Sequence, residues 1–471
     1  MKKLFLLSSI VFVLLSVIAT AQDIKVLNFY DGDTYFDGHV ASKMAYDHYR
    51  NKVYCVTVDT KNANQNRYFL RMLEDGAWQQ INTVEQGYPY GDTLFIKGID
   101  IDKHSRVWIT TSEGFLKYEN EKWEKIETED IEGLKVKSYV AVIPDSLGNA
   151  FLYINYGYLF YSGGPVTQIM RMNLYKYMPE GNTLIYSCDS ANYVDNPVRL
   201  GGISPRAYCA DDKGNIWLAS DQNTNGEDDF PKIKGMMRYS DTEGKFEFFE
   251  MKNLSKNMQR IMPQQLIYDK DHLWLVNGWS YAGGISRMSL QTQEWELFDS
   301  FDGMKDLSSA FHRLQTMVQD GDSILWGGTF GWGLLKFDLK AKKVERISFA
   351  DVLNRDDLRY KLNEVYNSFK DKDGNNWFVT RAGIIKTEGK KTTSADNVEE
   401  PRFGVFPNPA SDRISITGLD INLSGKVAIY SQLGVKALET SAVEGMIDVS
   451  SLPAGVYLLR AGGGAAKFVK I

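Results

Sequence analysis

The chain has 471 residues, of which 54 are basic and 60 acidic, so its formal net charge is −6 at pH 7. With 43% hydrophobic and 24% charged residues, this composition excludes a disordered chain and a basic nucleic-acid-binding protein. The 13% aromatic content, with 40 glycines and only 12 prolines, indicates many short strands joined by tight turns.

The N-terminus has the pattern of a secretory signal. Lys2 and Lys3 precede an apolar stretch at 4–18 that ends in Ala19-Thr20-Ala21, which predicts a signal peptide at 1–21 and cleavage before Gln22. A membrane anchor is the alternative, but this stretch is shorter than the roughly 20 residues that span a bilayer. No second long apolar run occurs in the sequence, so we expect no transmembrane anchor in the mature chain.

Three cysteines occur in the chain, at Cys55, Cys188 and Cys209. Because the number is odd, at least one thiol stays unpaired within a monomer. The spacing leaves open whether Cys188 and Cys209 pair. Cys55 lies inside an apolar strand pattern and is interpreted as a small core residue. The fold is therefore not expected to depend on disulfides.

A short pattern recurs along the chain and is its strongest internal signal. Each copy has an Asp-containing turn followed by a strand with a central Trp. The clearest copies are Asp102–Trp108, Asp211–Trp217, Asp269–Trp274, Asp320–Trp326 and Asp371–Trp377. Tyr54 and Phe151 are assigned to the Trp position in two weaker copies, which makes seven.

A second strand in each copy carries a Lys or Arg after an aliphatic residue. These basic residues are Arg71, Lys117, Arg171, Arg238, Arg287, Lys336 and Lys386. Because one such sheet cannot bury both its faces alone, seven copies of about 50 residues predict a seven-bladed β-propeller over residues 22–390. We expect the Trp to fill the space between blades and the basic residue to run along a strand edge.

The last copy ends after Gly383–Thr387 and lacks an outer strand, whereas residues 24–30 precede the first copy and have a strand-like pattern. We expect residues 24–30 to complete the last blade. This pairing would join the two ends of the ring and remove an exposed sheet edge.

The copies at 211–217 and 371–377 read Asp-x-x-Gly-Asn-x-Trp. They resemble the two-component-regulator propeller repeats (Reg_prop type) that are common in Bacteroidetes, which implies a propeller fold. In that family such propellers often form the periplasmic sensor of a hybrid histidine kinase. We do not expect a sensor role here, because the sequence has neither a kinase domain nor a second transmembrane helix.

The composition changes after residue 390. Residues 391–402 are polar and without periodicity, and they are predicted to be a linker. Residues 403–471 contain short alternating apolar runs that predict a small β-sandwich. The expected fold class is therefore all-β, a seven-bladed propeller followed by a small C-terminal sandwich.

Three motifs in this tail, at 405–412, 429–434 and 447–457, resemble in the same order those of the type A C-terminal sorting domain of the type IX secretion system. The resemblance implies passage through the periplasm, translocation by the type IX machinery, and removal of the tail within the linker, with release or attachment at the cell surface. An ordinary accessory sandwich is the alternative. The residues that carry the sorting-signal resemblance are Pro407, Asn408, Pro409, Gly434, Leu452, Gly455 and Tyr457.

One loop has the pattern of a calcium site. Asp221, Asn223, Asn225 and Asp229 place oxygen-bearing side chains at positions 1, 3, 5 and 9, around a glycine at position 6. The loop resembles the calcium loops found between propeller strands in integrins, although two aspartates are replaced by asparagine. A plain polar turn is the alternative, and calcium is the one cofactor that the sequence suggests.

No catalytic residue can be assigned. The five histidines lack metal-ligand spacing, and no Gly-x-Ser-x-Gly elbow, phosphate loop or Cys-x-x-Cys occurs. Carboxylates are abundant in the loops, so a glycosidase or lyase remains an alternative to a binding module.

Several long loops carry aromatic residues beside glycines. Exposed rings of this kind suit stacking against sugars or docking of a protein, and packing between blades is the alternative. The sequence therefore predicts a secreted or cell-surface binding module for polysaccharide or protein. An extracellular carbohydrate-active enzyme and a purely structural surface protein are the alternatives. The candidate ligand-binding residues are Tyr88, Tyr90, Trp279, Tyr281, Phe330 and Trp332.

Overall fold

The computed structural model divides the chain into two compact units, 1–392 and 393–471. The predicted signal peptide lies outside the described residues. Within those residues no helix is long and apolar enough to cross a membrane. The described residues are 24–61, 66–131, 136–157, 170–179, 181–189, 207–219, 222–223, 236–249, 251, 260–278, 284–298, 301–303, 307, 310, 313–390, 404–417, 426–431, 436–441, 446–461 and 464–471.

The described part of the first unit forms seven four-stranded antiparallel sheets. In sheets 1 to 6 the strands pair in chain order. Sheet 1 contains β2 (Val40–Asp47), β3 (Lys52–Asp59), β4 (Arg67–Glu74) and β5 (Ala77–Gln80). Sheet 2 contains β6 (Ile96–Ile101), β7 (Val107–Thr111), β8 (Phe115–Glu119) and β9 (Lys122–Ile126). Sheet 3 contains β10 (Val136–Pro144), β11 (Ala150–Gly157), β12 (Met170–Lys176) and β13 (Thr183–Asp189).

Sheet 4 contains β14 (Ala207–Ala210), β15 (Asn215–Ala219), β17 (Met236–Ser240) and β18 (Lys245–Phe249), and β16 (Gln222–Asn223) pairs separately with β19 (Arg260–Ile261). Sheet 5 contains β20 (Pro263–Asp269), β21 (His272–Asn277), β22 (Gly284–Ser289) and β23 (Trp295–Leu297). Sheet 6 contains β24 (Leu314–Asp320), β25 (Ile324–Thr329), β26 (Leu334–Asp338) and β27 (Lys343–Ile347). Sheet 7 contains β28 (Val365–Lys370), β29 (Asn376–Thr380), β30 (Gly383–Thr387) and, from the N-terminus, β1 (Val26–Asp31).

Two of the loops between sheets contain short helices that lie wholly within the described residues. The loop after β1 contains α1 (Gly32–Tyr35). The loop between sheets 6 and 7 contains α2 (Phe349–Val352), a 3₁₀ turn (Asp356–Leu358) and α3 (Arg359–Leu362).

The core of this unit lies between neighbouring sheets. The first strands β2, β6, β10, β14, β20, β24 and β28 contact one another in cyclic order. A separate cluster of buried apolar side chains fills each space between consecutive sheets, including the space between sheets 7 and 1. Each sheet thus buries both faces against its two neighbours, as the ring of a propeller requires. The predicted all-β propeller class is confirmed.

The N-terminal strand closes the ring, as predicted. Residues of β1 pair antiparallel with β30 from Val26 opposite Thr387 to Asp31 opposite Gly383. The Tyr30 ring stacks on Trp377 with a centroid distance of 6.0 Å. Gly383 has φ of 146°, and a Cβ there would lie 2.2 Å from the Tyr30 carbonyl oxygen, so the two strands approach closely because this residue is glycine.

The recurring Asp and Trp form a hydrogen bond at the first turn of four sheets. Asp211 is buried, and its carboxylate accepts bonds from the backbone N–H of Lys213 and Asn215 and from Trp217 Nε1 at 3.1 Å. The same indole bond joins Asp102 to Trp108, Asp320 to Trp326 and Asp371 to Trp377. In sheet 5 the Asp and Trp are five rather than six residues apart, and Trp274 Nε1 has no partner. The turn chemistry therefore depends on the spacing.

The recurring basic residue does not simply run along a strand edge. In sheets 4 and 5 it lies opposite the Trp on the neighbouring strand, with Arg238 Cζ 5.7 Å from the Trp217 ring and Arg287 Cζ 4.9 Å from the Trp274 ring. Arg238 also pairs with Glu247 on the outer strand at 2.7 Å. The sequence interpretation missed this indole–cation–carboxylate ladder, because its partners come from three strands.

Two weak copies were misaligned in the sequence interpretation. Cys55, not Tyr54, lies opposite Arg71. Phe151 lies opposite Lys176, whereas Arg171 lies opposite Tyr156, because the strands of sheet 3 are longer than those of most other copies. Cys55 is fully buried, which confirms it as a core residue.

Cys209 is a free thiol in the structure. The side chain of its suggested partner, Cys188, lies outside the described part, and the main chain of Cys188 forms part of β13.

The second unit is also all-β. One sheet contains β31 (Gly404–Phe406), β32 (Arg413–Thr417) and β35 (Met446–Asp448), and the other contains β34 (Lys436–Ser441), β33 (Lys426–Ser431), β36 (Gly455–Ala461) and β37 (Gly464–Lys470). Buried side chains from both sheets, among them Ile414, Ile429 and Phe468, form one core. This agrees with the small sandwich that the sequence predicts.

Closure of sheet 7 gives a first prediction. Gly383→Ala should destabilise the chain by about 1–3 kcal/mol more than Gly181→Ala, because the new Cβ forces β1 away from β30. Gly181 has a similar φ, 140°, but an open environment, so it controls for backbone strain. The free energy of unfolding from denaturant titration is the measurement, and equal losses in the two variants would contradict the closing role.

The Asp–Trp turn gives a second prediction. Asp211→Ala should lower the free energy of unfolding by about 2–4 kcal/mol, since it leaves buried indole and backbone N–H groups without acceptors. Asp269→Ala, in the turn where no Asp bonds the Trp, should cost less than about 1 kcal/mol. Denaturant titration measures both, and a loss in Asp269→Ala as large as in Asp211→Ala would refute the assigned role of the indole bond.

Candidate functional site

The loops that vary in length open at one end of the ring. In each antiparallel sheet the first strand begins where the second strand ends, as with Val40 opposite Val58 in sheet 1 and Leu314 opposite Thr329 in sheet 6. Loops after second and fourth strands therefore share this end, which we call the loop face. The Asp–Trp turns lie at the opposite end.

The first strands are irregular near the loop face. In six of the seven sheets one residue of the first strand bulges out of the register within a few residues of the strand start. Bulges redirect side chains and are common beside functional sites. The bulged residues are Ser42, Lys97, Val140, Gln264, Gln315 and Tyr366.

Polar side chains next to these bulges link the first strands around the axis. Gln265 Oε1 of sheet 5 accepts a bond from Met317 N at 2.6 Å. The Thr316 hydroxyl of sheet 6 bonds that of Ser368 in sheet 7 at 2.7 Å. Lys97 Nζ of sheet 2 donates to the Tyr139 carbonyl of sheet 3 at 3.0 Å. The axial lining is therefore polar although the spaces between the sheets are apolar.

Three ionisable side chains meet within this lining. Tyr208 Oη of sheet 4 donates to Asp100 Oδ2 of sheet 2 at 2.8 Å, so the bond joins sheets that are not neighbours. The ammonium of Lys43, in sheet 1, is close enough to act on Asp100 by its charge. All three side chains keep partial solvent exposure although protein surrounds them. We call these residues the axial cluster.

Burial dominates the electrostatics of the axial cluster. Desolvation raises the pKa of Asp100 to about 7, although the Tyr208 bond and the Lys43 charge act in the opposite direction. Desolvation also lowers the pKa of Lys43, against the charge of Asp100. Sequence reasoning missed this cluster. Asp100 stands between Ile99 and Ile101 in a strand that also contains Lys97, which does not distinguish it from an ordinary alternating strand.

Phe330 lies on the loop face between sheets 6 and 7. Its main chain bridges to Glu364, and its ring lies 6.2 Å from the Tyr366 ring, with both rings partly exposed. The Tyr366 hydroxyl donates to Glu364 Oε2. Glu364 is 1% exposed, its Oε1 accepts no hydrogen bond, and Arg381 Nη1 lies 3.7 Å from that oxygen. We call these residues the aromatic site; the sequence predicted Phe330 and missed the rest.

Trp332 is separate from the aromatic site. Its partly buried ring packs against the core between sheets 5 and 6. The Arg346 guanidinium lies 5.2 Å from the ring centroid, and its Nε donates to the Trp332 carbonyl at 2.7 Å. The structure thus places Trp332 beside Phe330 in sequence but in a different packing environment.

Tyr88 and Tyr90 lie in the loop between sheets 1 and 2. Tyr88 is only 6% exposed and packs edge-on against Trp123 at 4.9 Å, so its ring is part of the core between these sheets. Tyr90 is partly exposed and lies 6.3 Å from the Tyr88 ring. The remaining candidates, Trp279 and Tyr281, lie outside the described residues.

The predicted calcium loop is described only in part. Asp221, Asn225 and Asp229 lie outside the described residues, and for Asn223 only the main chain is described, where it pairs with Arg260. Among the residues that the structure does describe, no group of three or more His, Cys, Asp or Glu side chains is placed to hold a metal ion.

Residues of the tail motifs contribute contacts within the second unit. Asn408 Oδ1 accepts the Val469 N–H at 2.9 Å, and Asn408 Nδ2 donates to the Lys467 carbonyl at 3.3 Å, so the segment with Pro407 and Pro409 is tied to the last strand.

Leu452 and Tyr457 are buried, and the Tyr457 hydroxyl bonds the Pro453 carbonyl at 2.9 Å. Gly455 begins β36 beside the Tyr457 ring, and Gly434 lies outside the described residues.

Residues 404–471 match the family of secretion system C-terminal sorting domains. The match covers the three motifs and the Asn408 contacts. This tail is a type IX sorting domain. The protein is therefore exported to the cell surface or secreted, and the type IX machinery handles its tail.

The fold is similar to that of the extracellular domain of the putative one-component system BT4673 from B. thetaiotaomicron. The TM-score is 0.52 at 16% identity, over 94% of this chain and 46% of that chain. PorZ, a surface component of the type IX secretion system of Porphyromonas gingivalis, aligns with a TM-score of 0.47 at 15% identity, over 95% of this chain and 60% of that one.

This chain therefore spans less than two thirds of the length of either structure. A comparison with curated proteins gives no match. The likeness to the BT4673 domain shows a shared fold.

The raised pKa of Asp100 gives a third prediction. Between about pH 4 and pH 7 the Asp100 carboxyl is protonated in the folded chain but ionised in the unfolded chain. The wild-type free energy of unfolding should therefore fall as pH rises from about 4 to 7. Asp100→Asn removes the free-energy cost of ionising this buried carboxyl, and the amide oxygen can still accept the Tyr208 bond. At pH 8 its free energy of unfolding should therefore exceed that of wild type by an amount on the order of 2 kcal/mol.

Denaturant titrations from pH 4 to 8 measure this difference. Asp271→Asn, at an exposed aspartate in a turn of the opposite end, is the control and should show no such gain. A stability gain in Asp100→Asn that is the same at pH 4 and pH 8 would contradict the assigned titration.

Proposed function

We propose that the ring of sheets is an exported binding module whose ligand site is the loop face, centred on the aromatic site. The observation that carries this proposal is the pair of partly exposed rings, Phe330 and Tyr366, above a buried carboxylate with an oxygen that accepts no hydrogen bond. Arg381, whose side chain is 45% exposed, pairs with this carboxylate and presents N–H donors to solvent beside the two rings.

A saccharide fits this chemistry better than an extended peptide. Sugar rings stack on aromatic faces through their C–H groups, and their hydroxyls bond guanidinium groups of the kind that the exposed Arg381 supplies. The polar axial lining next to the aromatic site continues this hydroxyl-compatible surface. We therefore favour a polysaccharide ligand, with a protein partner as the competing ligand.

The sorting domain supports this assignment. A protein sent to the cell surface or beyond meets polysaccharides and foreign proteins there, and the ring of sheets would act after export. Calcium in the 221–229 loop stays a prediction for this module.

An extracellular carbohydrate-active enzyme is the second candidate, and the axial cluster favours it. A carboxyl group with a pKa near neutrality, hydrogen-bonded to a tyrosine and near a lysine, is the kind of group that donates or accepts protons in catalysis. The cluster lies in the axial lining, with Asp100 two residues before the Asp102 turn. Product analysis with any polysaccharide that binds separates an enzyme from a binding module.

Binding to the aromatic site gives a fourth prediction. With residues 22–471 and a panel of neutral and acidic polysaccharides, at least one sugar should raise the thermal unfolding midpoint, because it binds the folded state. Phe330→Ala should weaken binding of that sugar roughly five- to tenfold, measured by calorimetry.

Tyr49→Ala is the matched control, since Tyr49 is 63% exposed but lies in a turn at the opposite end. It should leave binding unchanged. Binding that is insensitive to Phe330→Ala would refute the aromatic site, and binding of a protein partner with no response to any sugar would refute the polysaccharide ligand.

A further inference from the structure

The axial lining is electropositive in a chain that is acidic overall. The chain carries a net charge of −6. Several first strands end in the aspartates of the Asp turns, and Lys370 lies beside such a turn. The other charged residues on the first strands are Lys43, Lys97, Lys137 and Asp100. Since the pKa of Asp100 is raised to about 7, its carboxyl is only partly ionised at neutral pH. Lys43 and Lys97 therefore contribute positive charge along the axis that Asp100 offsets only in part.

These lysines differ in their partners. Lys137 Nζ donates to the Thr128 and Glu129 carbonyls and pairs with Asp130 at 3.1 Å, so the loop between sheets 2 and 3 holds it and offsets its charge. Lys97 Nζ bonds the Tyr139 carbonyl and the Ser138 hydroxyl. Within the described residues no hydrogen bond holds the ammonium of Lys43, and the charge acting on it is that of Asp100.

Lys43 is also reachable from solvent. Its side chain is partly exposed even though protein surrounds it, which is the environment of a group that lines a narrow channel. Desolvation lowers the pKa of Lys43 because its ammonium lacks a full hydration shell. An anion that reaches the channel would supply the missing hydrogen-bond acceptors.

We propose that the axial channel binds the carboxylate of an acidic sugar in the polysaccharide ligand, with Lys43 as its counter-ion and Lys97 as a second positive charge. This inference rests on the proposed loop-face function and names its ligand class. An acidic sugar fits better than an acidic peptide, because the hydroxyl and amide groups of Thr316, Ser368 and Gln265 surround the axis and the aromatic site lies beside it.

The neighbouring groups limit what can bind. Glu113 acts on Lys97 by its charge, and Glu364 is engaged by Tyr366 and Arg381. Asp100 faces Lys43 and competes with a ligand carboxylate for its charge. Removing the Asp100 charge should therefore strengthen binding of an anion, while removing the Lys43 charge should weaken it.

The test measures binding of trigalacturonate and of neutral maltotriose to residues 22–471 by calorimetry. Wild type should bind trigalacturonate more tightly, and Lys43→Met should weaken that binding roughly tenfold or more, since one charge-assisted hydrogen bond is lost. Lys245→Met, at an exposed lysine of an outer strand, makes the same charge change and should have no effect. Higher salt should weaken binding of trigalacturonate and leave any binding of maltotriose unchanged.

Asp100→Asn is the second variant and decides the result if Lys43→Met does not fold. It should bind trigalacturonate more tightly than wild type, and unchanged or weaker binding would overturn the inference. Failure of wild type to bind trigalacturonate would also overturn the inference, as would equal losses of trigalacturonate affinity in Lys43→Met and Lys245→Met. Tighter binding of triglutamate would assign the channel to an acidic peptide instead. Neutral-sugar binding that depends on Phe330 but not on Lys43 would overturn this inference and leave the proposed function standing.

Discussion

The pairing of β1 with β30 is the constraint on which the first unit depends. Each sheet buries both faces only because it has a neighbour on either side, and sheet 7 takes its outer strand from the N-terminal end of the ring. The closest approach is at Gly383, where a side chain would meet the Tyr30 carbonyl. Closure thus couples residues more than 350 positions apart and removes the exposed edge of a three-stranded sheet.

The repeated structural contacts and the proposed ligand site lie at opposite ends of this ring. The Asp–Trp bonds and the basic residues opposite the Trp rings secure the turn end, as Asp211, Trp217 and Arg238 do in sheet 4. The loop face is left to vary in length and composition. There the bulged first strands expose polar groups toward the axis. Further along the axial lining, the Asp100–Tyr208 bond joins sheets that do not otherwise neighbour each other. Local repeats hold the scaffold, while contacts between sheets build the site.

Sequence reasoning succeeded where a signal was local or repeated. The closing strand, the buried Cys55 and the sorting motifs around Asn408 were all predicted and found. It erred where strand length changed the register, as with Tyr54 and Arg171. It named Phe330 as a candidate but not Glu364 or Tyr366, because these residues meet Phe330 only through packing of sheet 6 on sheet 7.

The sequence by itself determined the all-β repeats, the closing strand and the export signal, because turn residues, strand periodicity and short ordered motifs act over a few neighbouring positions. Only the tertiary structure decided which side chains converge. Lys43, Asp100 and Tyr208 belong to three different sheets, and their spacing along the chain carries no information about the axis where they meet. Their chemistry follows from shared burial, which exists only once the ring has closed.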